Sequence, residues 1–133
     1  MALTSSLVPL GTPCPAFALP DVHATVHSLA DFTAPVLVVF FACNHCPYAL
    51  AWHDRMLDVD RDYADRGVRF LAINSNDAER YPADSFEAMV ERIEREGEWP
   101  HPYLHDESQE VARAWGAETT PHVFVLDPEL RLR

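Results

Sequence analysis

The chain has 133 residues, of which 48% are hydrophobic and 23% charged, and its formal net charge is −11 at pH 7. A chain of this length forms one domain with a core of its own, so we expect residues 1–133 to be a single domain and exclude general disorder. An acidic domain repels nucleic-acid phosphates and anionic membrane surfaces, so neither is an expected partner.

The three cysteines, Cys14, Cys43 and Cys46, are too few and too clustered for a secreted disulfide scaffold. No apolar run approaches the ~18 residues of a membrane span. Residues 1–11 have neither the basic start nor the long apolar stretch of a secretory signal. We therefore expect a cytoplasmic protein, in which a Cys-x-x-Cys pair is catalytic or metal-binding rather than structural.

The first elements in chain order are an arm, a hairpin and a buried strand. Residues 1–16 are rich in proline and predict an extended N-terminal arm. Residues 17–19 and 26–29 flank a polar turn, which is typical of a short hairpin. Residues 36–41 are six consecutive apolar residues and predict a strand that is buried on both faces of a sheet.

A helix is predicted from Pro47, and Gly67 fits its C-terminal stop. The aspartates of this segment, among them Asp60, are expected on its solvated face. The strand at 68–73 then completes a strand–helix–strand unit, which predicts parallel pairing. The apolar stripe predicted to face the core consists of Ala49, Trp52, Met56, Val59 and Tyr63.

The second half of the chain predicts two helices and a last strand. Asp84 and Glu87 resemble a capping box that opens one helix. A second helix follows residues 106–109, buries Trp115 and ends at Gly116. A strand is predicted at 122–126, followed by a turn. We thus expect an α/β fold with a central, mostly parallel sheet flanked by helices and extended by the N-terminal hairpin.

The C-terminal turn predicts a partner strand, but only residues 130–133 remain to form it. A covering helix is also missing from the pattern. Either the C-terminal strand and helix are truncated, which we favour, or a neighbouring chain completes the sheet edge in a homodimer.

The candidate redox site is the motif Cys43-Asn44-His45-Cys46, which follows the buried strand and opens the long helix. The first N–H groups of a helix lack intrahelical partners and lie at the positive end of its dipole, so they favour a thiolate. Cysteines in such motifs have pKa values of about 3.5–7.5 instead of about 8.5. Cys43 is therefore predicted to attack and Cys46 to resolve the mixed disulfide, while Pro47 suits the first helical turn.

A family resemblance rests on five segments: Gly11-Thr12-Pro13-Cys14-Pro15-Ala16-Phe17, Ser28-Leu29-Ala30-Asp31-Phe32, Phe41-Ala42-Cys43-Asn44-His45-Cys46-Pro47-Tyr48, Ala72-Ile73-Asn74-Ser75-Asn76-Asp77 and Thr119-Thr120-Pro121. Because these segments occur in this order along the sequence, the chain resembles the thioredoxin-fold superfamily. Within it, the chain resembles the peroxiredoxin-like alkyl hydroperoxide reductase/thiol-specific antioxidant (AhpC/TSA) family. The resemblance implies a thioredoxin fold in which Thr120-Pro121 is a cis proline facing the motif. The residue before that proline would offer backbone hydrogen bonds to an extended substrate. Cys43 matches the family's nucleophile and Cys46 its resolving cysteine.

Two departures from peroxiredoxins favour disulfide exchange over peroxide reduction, and a third difference, from thioredoxins, concerns proton transfer. Peroxiredoxins place their peroxide-reactive cysteine nearer the Cys46 position, with a threonine where this chain has Cys43. They also carry an arginine where this chain has Thr119-Thr120-Pro121. The buried carboxylate of thioredoxins corresponds here to Leu37, so another group or water must move the proton.

The remaining candidate site residues surround the cysteines. His45 stands between them as in protein disulfide isomerases, where such a histidine stabilises a thiolate and makes the disulfide more oxidising. The carboxyl ends of strands gather functional residues in open α/β sheets. The lining residues predicted on this basis are Asn74, Ser75, Asn76, Asp77, Tyr48 and Thr120.

Three functions remain open. The first is a cofactor-free thiol–disulfide oxidoreductase that acts on a protein or small-molecule disulfide and is restored by an unidentified thiol reductant. The second is a peroxiredoxin-like antioxidant peroxidase. The third is a non-catalytic module that binds a metal or a partner. No metal site is predicted, because zinc needs four ligands and only His45 or His53 could join the pair, without a second Cys-x-x-Cys.

Overall fold

The computed structural model describes residues 8–133, so residues 1–7 of the predicted arm lie outside the described part. From residue 8 onward the arm runs beside the end of the chain. Pro13 and Arg131 form an antiparallel bridge, and the Cys14 N–H donates to the Leu130 carbonyl at 3.0 Å. Residues 130–133 therefore pair with the arm, although only isolated bridges form there.

The predicted hairpin consists of β1 (Ala18–Pro20) and β2 (Val26–Ser28), which pair antiparallel. Asp21 fixes the turn between them, because its Oδ1 accepts the backbone N–H groups of His23 at 2.8 Å and Thr25 at 3.0 Å. A short polar side chain that caps its own turn is the usual reason for aspartate at such a position.

The central sheet has four strands, which are β3 (Val36–Ala42), β4 (Val68–Asn74), β5 (Tyr103–His105) and β6 (His122–Leu126). Their order is β5-β4-β3-β6, in which the first three are parallel and β6 is antiparallel to β3. The mostly parallel sheet predicted from the sequence is thus confirmed.

Alternation along β3 divides the core into two layers. Its odd-numbered side chains, such as Val39 and Phe41, pack on one face with Trp115. Its even-numbered side chains, such as Phe40, pack on the other face with Met89. Both faces of β3 are therefore buried, which explains its uninterrupted apolar sequence.

Three helices flank the sheet, namely α1 (Pro47–Tyr63), α2 (Phe86–Glu96) and α3 (Glu110–Trp115). The predicted capping box at Asp84 is wrong, because the N-cap of α2 is Ser85, whose side chain accepts the Ala88 N–H at 3.1 Å. Within residues 8–133, no helix has the length and apolar content needed to cross a membrane.

The buried face of α1 differs from the predicted stripe. Trp52 and Val59 are 48% and 41% exposed, whereas Asp60 is buried with its carboxylate 2.7 Å from Nδ1 of His101. Met56 belongs to the predicted stripe and also to a neighbouring stripe that contains Asp60. The two stripes have the same helical spacing, so periodicity alone cannot show which of them is buried. The stripe that ends at Asp60 faces inward because a buried imidazole partners its carboxylate.

Candidate functional site

The two cysteines of the motif form a disulfide at the point where β3 leads into α1. Their Cα atoms are 5.8 Å apart, and the backbone N–H of Cys46 donates to Sγ of Cys43 at 3.0 Å. Cys46 is the N-cap of α1. An N–H group at the positive end of a helix dipole therefore points at the Cys43 sulfur and would stabilise its thiolate after reduction.

The two cysteines differ in access to solvent. Cys43 is 1% exposed, whereas Cys46 is only partly buried. Sγ of Cys43 lies 3.6 Å from the hydroxyl of Thr120, and the Thr120–Pro121 peptide bond is cis, the isomer that the resemblance implied. In the disulfide form, an outside molecule thus reaches the pair from the Cys46 side.

A buried carboxylate that the sequence analysis missed lies behind the motif. Asp84 is fully buried, and four donors surround it. Its Oδ1 accepts the Asn44 backbone N–H and, at 3.1 Å, the Asn74 amide. Its Oδ2 contacts Nδ1 of His45 and accepts the Asn76 amide at 3.1 Å. Both oxygens of this buried carboxylate therefore have hydrogen-bond partners, and Asp84 holds the backbone and side chains around the motif in place.

His45 is held in one orientation from two sides. Its Nδ1 contacts Asp84, and its ring stacks on Tyr81 with the centroids 4.6 Å apart and the planes at 17°. The side chain keeps 34% exposure. The imidazole is therefore held beside the sulfurs while part of the ring stays accessible to solvent.

The two asparagines at the end of β4 belong to the site. The amide of Asn76 lies 3.4 Å from Sγ of Cys46 and thereby bridges this sulfur to Asp84. Asn74 is fully buried and also donates to the hydroxyl of Tyr103 at 3.1 Å. Asn76 thus touches the disulfide directly, and Asn74 helps to hold the carboxylate behind it.

The other predicted lining residues make their described hydrogen bonds away from the two sulfurs, although Ser75 lines the same cleft as Asn76 and Thr120. Ser75 donates to Asp106 at 2.6 Å, and Asp77 accepts the Glu79 N–H at 3.0 Å within its own turn. Pro47 is the first residue of α1, as its fixed φ favours. Tyr48 follows it on the surface and is 76% exposed, so it borders the motif without covering it.

Arg92, on α2, is a second group that the sequence analysis missed. Its guanidinium is 4% exposed and donates to the Cys43 carbonyl at 3.2 Å and to Oδ1 of Asn44 at 3.0 Å. Its Nε donates to Glu96 at 2.7 Å. The hydroxyl of Tyr103 also donates to Oδ1 of Asn44 at 2.8 Å, and burial raises the pKa of this phenol so that it remains a neutral donor.

The sequence carried no local signal for Asp84 or Arg92. Asp84 precedes a helix and has the usual appearance of a cap, while Arg92 lies among the charged residues of an amphipathic helix. Both become buried because the chain after β4 folds back against the motif. Asp84 and Arg92 each contact Asn44 there, although they lie 40 and 48 residues after it in the sequence.

A cleft of about 310 Å³ opens beside the disulfide. Asn76 and Thr120, which contact the two sulfurs, lie in its wall together with Phe41 and Thr119. The cleft is thus walled by two residues that contact the disulfide, while Cys43 and Cys46 themselves do not line it.

Potential metal ligands also meet at the motif. The sulfurs of Cys43 and Cys46 and a ring nitrogen of His45 all lie within 4.8 Å of one another. His53, the other histidine considered from the sequence, instead contacts Glu96 at 2.8 Å.

Comparison with known proteins identifies one matching family and several similar solved structures. The AhpC/TSA family matches residues 10–133. A hypothetical protein from Sinorhizobium meliloti is 39% identical with a TM-score of 0.90, and the match covers 96% of this chain and 70% of that one. An uncharacterized conserved protein from Geobacillus kaustophilus is 41% identical with a TM-score of 0.91, covering 99% and 72%.

More distant structures show the fold. A thiol:disulfide interchange protein from a Bacteroides species is 21% identical with a TM-score of 0.74, and the match covers 94% of this chain and 79% of that one. No curated protein matches the chain significantly. The fold is therefore the thioredoxin fold, with a Cys-x-x-Cys disulfide at the start of α1.

Proposed function

Because this chain belongs to the AhpC/TSA family, we propose that it is a thiol–disulfide oxidoreductase whose Cys43 and Cys46 alternate between dithiol and disulfide. The observation that carries this proposal is the hydrogen bond from the Cys46 N–H to Sγ of Cys43 at the start of α1. A sulfur in that position is stabilised as the thiolate, which is the form that attacks disulfides.

The exchange proceeds in two steps. The Cys43 thiolate attacks one sulfur of a substrate disulfide, forms a mixed disulfide and displaces the other substrate sulfur as a thiolate. Cys46 then loses its proton and attacks the Cys43 sulfur, which releases the second substrate thiol and leaves the Cys43–Cys46 disulfide. Two molecules of a small thiol, or one protein dithiol, then return two electrons, form a disulfide themselves and restore the Cys43–Cys46 dithiol.

His45 is our candidate for the proton transfer that the second step requires. Its ring is partly exposed, lies beside both sulfurs and is oriented by Asp84. Asp84 would thus replace the carboxylate that thioredoxins place at the position of Leu37, although it comes from a different part of the chain.

The cleft beside Thr120 supports an extended disulfide substrate, since it opens next to the sulfurs. The small number and spacing of the cysteines support action in a reducing cytoplasm, where such pairs are catalytic.

The proposal is tested by dithiothreitol-driven reduction of insulin. We expect wild type and Cys14→Ser, the matched control, to accelerate the reaction equally, because Cys14 lies in the arm outside the site. Cys43→Ser should have no activity above buffer. Equal rates for Cys43→Ser and wild type, or no acceleration by either, would contradict the proposal.

Peroxide reduction is a second candidate, favoured by the greater exposure of Cys46 and by the Asn76 amide on its sulfur. Cys46 thiolate would attack hydrogen peroxide to give a sulfenic acid and hydroxide, and Cys43 would then form the disulfide and release water. Stopped-flow rates of wild type, Cys43→Ser and Cys46→Ser distinguish the two functions. If all three proteins react with hydrogen peroxide at a rate near that of free cysteine, peroxide reduction is excluded and disulfide exchange is the remaining one of these two functions.

A further inference from the structure

We infer that the reduced motif is a binding site for a thiophilic metal ion, with Cys43, Cys46 and His45 as ligands. The three candidate ligand atoms lie within 4.8 Å of one another. Zinc bonds of about 2.3 Å to sulfur and about 2.0 Å to nitrogen place ligand atoms of one site within roughly 4 Å of each other. The site therefore forms when reduction separates the two bonded sulfurs and the ring nitrogen of His45 moves closer to them by less than about 1 Å.

The contact between Asp84 and His45 supports this assignment. Metal-binding histidines usually hold a carboxylate or carbonyl with one ring nitrogen, which fixes the ring and leaves the other nitrogen for the metal. Asp84 engages Nδ1 of His45 here, so the proposed site takes Nε2 of the same ring as its nitrogen ligand. The stack on Tyr81 fixes the same ring plane from the opposite side.

Access and charge also fit a cation. The side chain of His45 is 34% exposed and Cys46 is partly buried, so an ion can reach the site from solvent. The buried carboxylate of Asp84 lies directly behind the ligands and contacts His45, and the chain as a whole has a formal net charge of −11. Three protein ligands leave one position of a tetrahedral ion open to water or to an outside ligand.

The site depends on the redox state of the cysteines. Binding converts two thiols to thiolates and releases two protons, and no electrons move. The disulfide has no thiolate to offer, so the oxidised protein should not bind the ion. Oxidation of the two bound thiolates by a substrate disulfide, which accepts two electrons, would release it. Metal binding and disulfide exchange thus compete for the same sulfurs.

The test uses the untagged, reduced chain without oxygen, titrated with Zn²⁺ against a chromogenic chelator. We expect one ion per chain, no binding by the disulfide form and none by Cys46→Ser. His45→Ala should weaken binding at least tenfold, and Asp84→Asn by about 10–100-fold, as expected for the loss of a carboxylate that orients a ligand. His23→Ala, at an exposed histidine paired with Glu98, is the matched control and should bind like wild type.

Co²⁺ provides an independent readout, because thiolate coordination gives it a charge-transfer band that should disappear in Cys46→Ser and change in His45→Ala. Equal Zn²⁺ affinity in His45→Ala and wild type would overturn the inference, as would equal binding by the disulfide form. His45→Gln serves as the second variant if His45→Ala does not fold. Insulin reduction in chelator-treated buffer measures the proposed exchange separately, so the two proposals can fail independently.

Discussion

The imidazole of His45 contacts the carboxylate of Asp84 across 39 residues of sequence. This contact joins the Cys-x-x-Cys motif at the start of α1 to the segment before α2. Because Asp84 also accepts the backbone N–H of Asn44 and the amide of Asn76, one buried carboxylate organises the motif from behind.

Replacing this carboxylate should slow disulfide exchange. In Asp84→Asn the side chain keeps its size but loses the carboxylate that contacts Nδ1 of His45. A positioned acid–base group contributes about 10²–10⁴-fold, so we expect the rate of insulin reduction to fall by at least about tenfold. Because the proposed proton carrier is affected, the pH dependence of the rate should also change.

Asp62→Asn is the matched control, since Asp62 is exposed on α1. It should leave both the rate and its pH profile unchanged. A slower Asp84→Asn enzyme with an unchanged pH profile would assign Asp84 a purely structural role, and an unchanged rate would exclude any role in the exchange.

Most helices and strands of the fold could be predicted from the sequence because each is indicated by residues that are close together in the chain. The apolar run of β3, the bounds of β6 and the glycine that ends α3 each depend on a few neighbouring residues. Asp84 could not be assigned in the same way, because its burial depends on contacts with Asn44 that no local pattern encodes. The buried face of α1 was missed for a related reason, since the buried Asp60 has its partner in His101, 41 residues later in the chain.

The order of attack by the two cysteines can be determined by trapping. With Cys43 as nucleophile, Cys46→Ser should accumulate a mixed disulfide with an oxidised substrate, and Cys43→Ser should accumulate none. We expect this outcome because the Cys46 backbone N–H, which stabilises the Cys43 thiolate, is retained when the side chain changes to serine. Mass spectrometry of the trapped adducts is the measurement.

The reverse outcome has a structural basis as well. Cys46 is the more exposed of the two residues in the disulfide form. Adducts formed only by Cys43→Ser would therefore assign the attack to Cys46 and leave Cys43 as the resolving residue.

Cys14 should remain unreactive at neutral pH. Burial and the nearby charge of Asp127 raise the pKa of this thiol from its ordinary 9.0 to about 11. Its thiolate fraction at pH 7 is then lower than that of an ordinary cysteine by about a hundredfold, because each pKa unit is a factor of ten. In the reduced protein, brief iodoacetamide treatment at pH 7 should label the motif cysteines and spare Cys14.

The raised pKa of Cys14 determines how its labelling by iodoacetamide changes with pH. Labelling of Cys14 should increase steadily with pH and still be rising at pH values where an exposed cysteine is fully ionised. In Asp127→Asn the charge is removed, so labelling of Cys14 should begin at lower pH. Labelling at pH 7 at the rate of a free thiol would contradict this account of its environment.

The buried pair of Asp60 and His101 should contribute measurably to the free energy of unfolding. Both side chains are almost fully buried, and Nε2 of His101 has no hydrogen-bond partner among residues 8–133. Asp60→Ala would remove the hydrogen-bond partner of Nδ1 of His101, and an unsatisfied buried polar group costs about 1–3 kcal/mol. Urea denaturation followed by circular dichroism measures this difference. Asp62→Ala, on the exposed side of α1, should change the free energy by less than about 0.5 kcal/mol.

A double variant separates loss of the pair from loss of packing. His101→Phe removes the polar ring that needs a partner, and aromatic neighbours such as Phe40, 5.1 Å away between ring centroids, can pack against the new ring. Asp60→Ala combined with His101→Phe should therefore be less destabilised than Asp60→Ala alone, because replacing both partners leaves no unpaired polar group. Equal stability of Asp60→Ala and Asp62→Ala would show instead that the carboxylate contributes nothing, and additive losses in the double variant would assign the effect of Asp60 to packing.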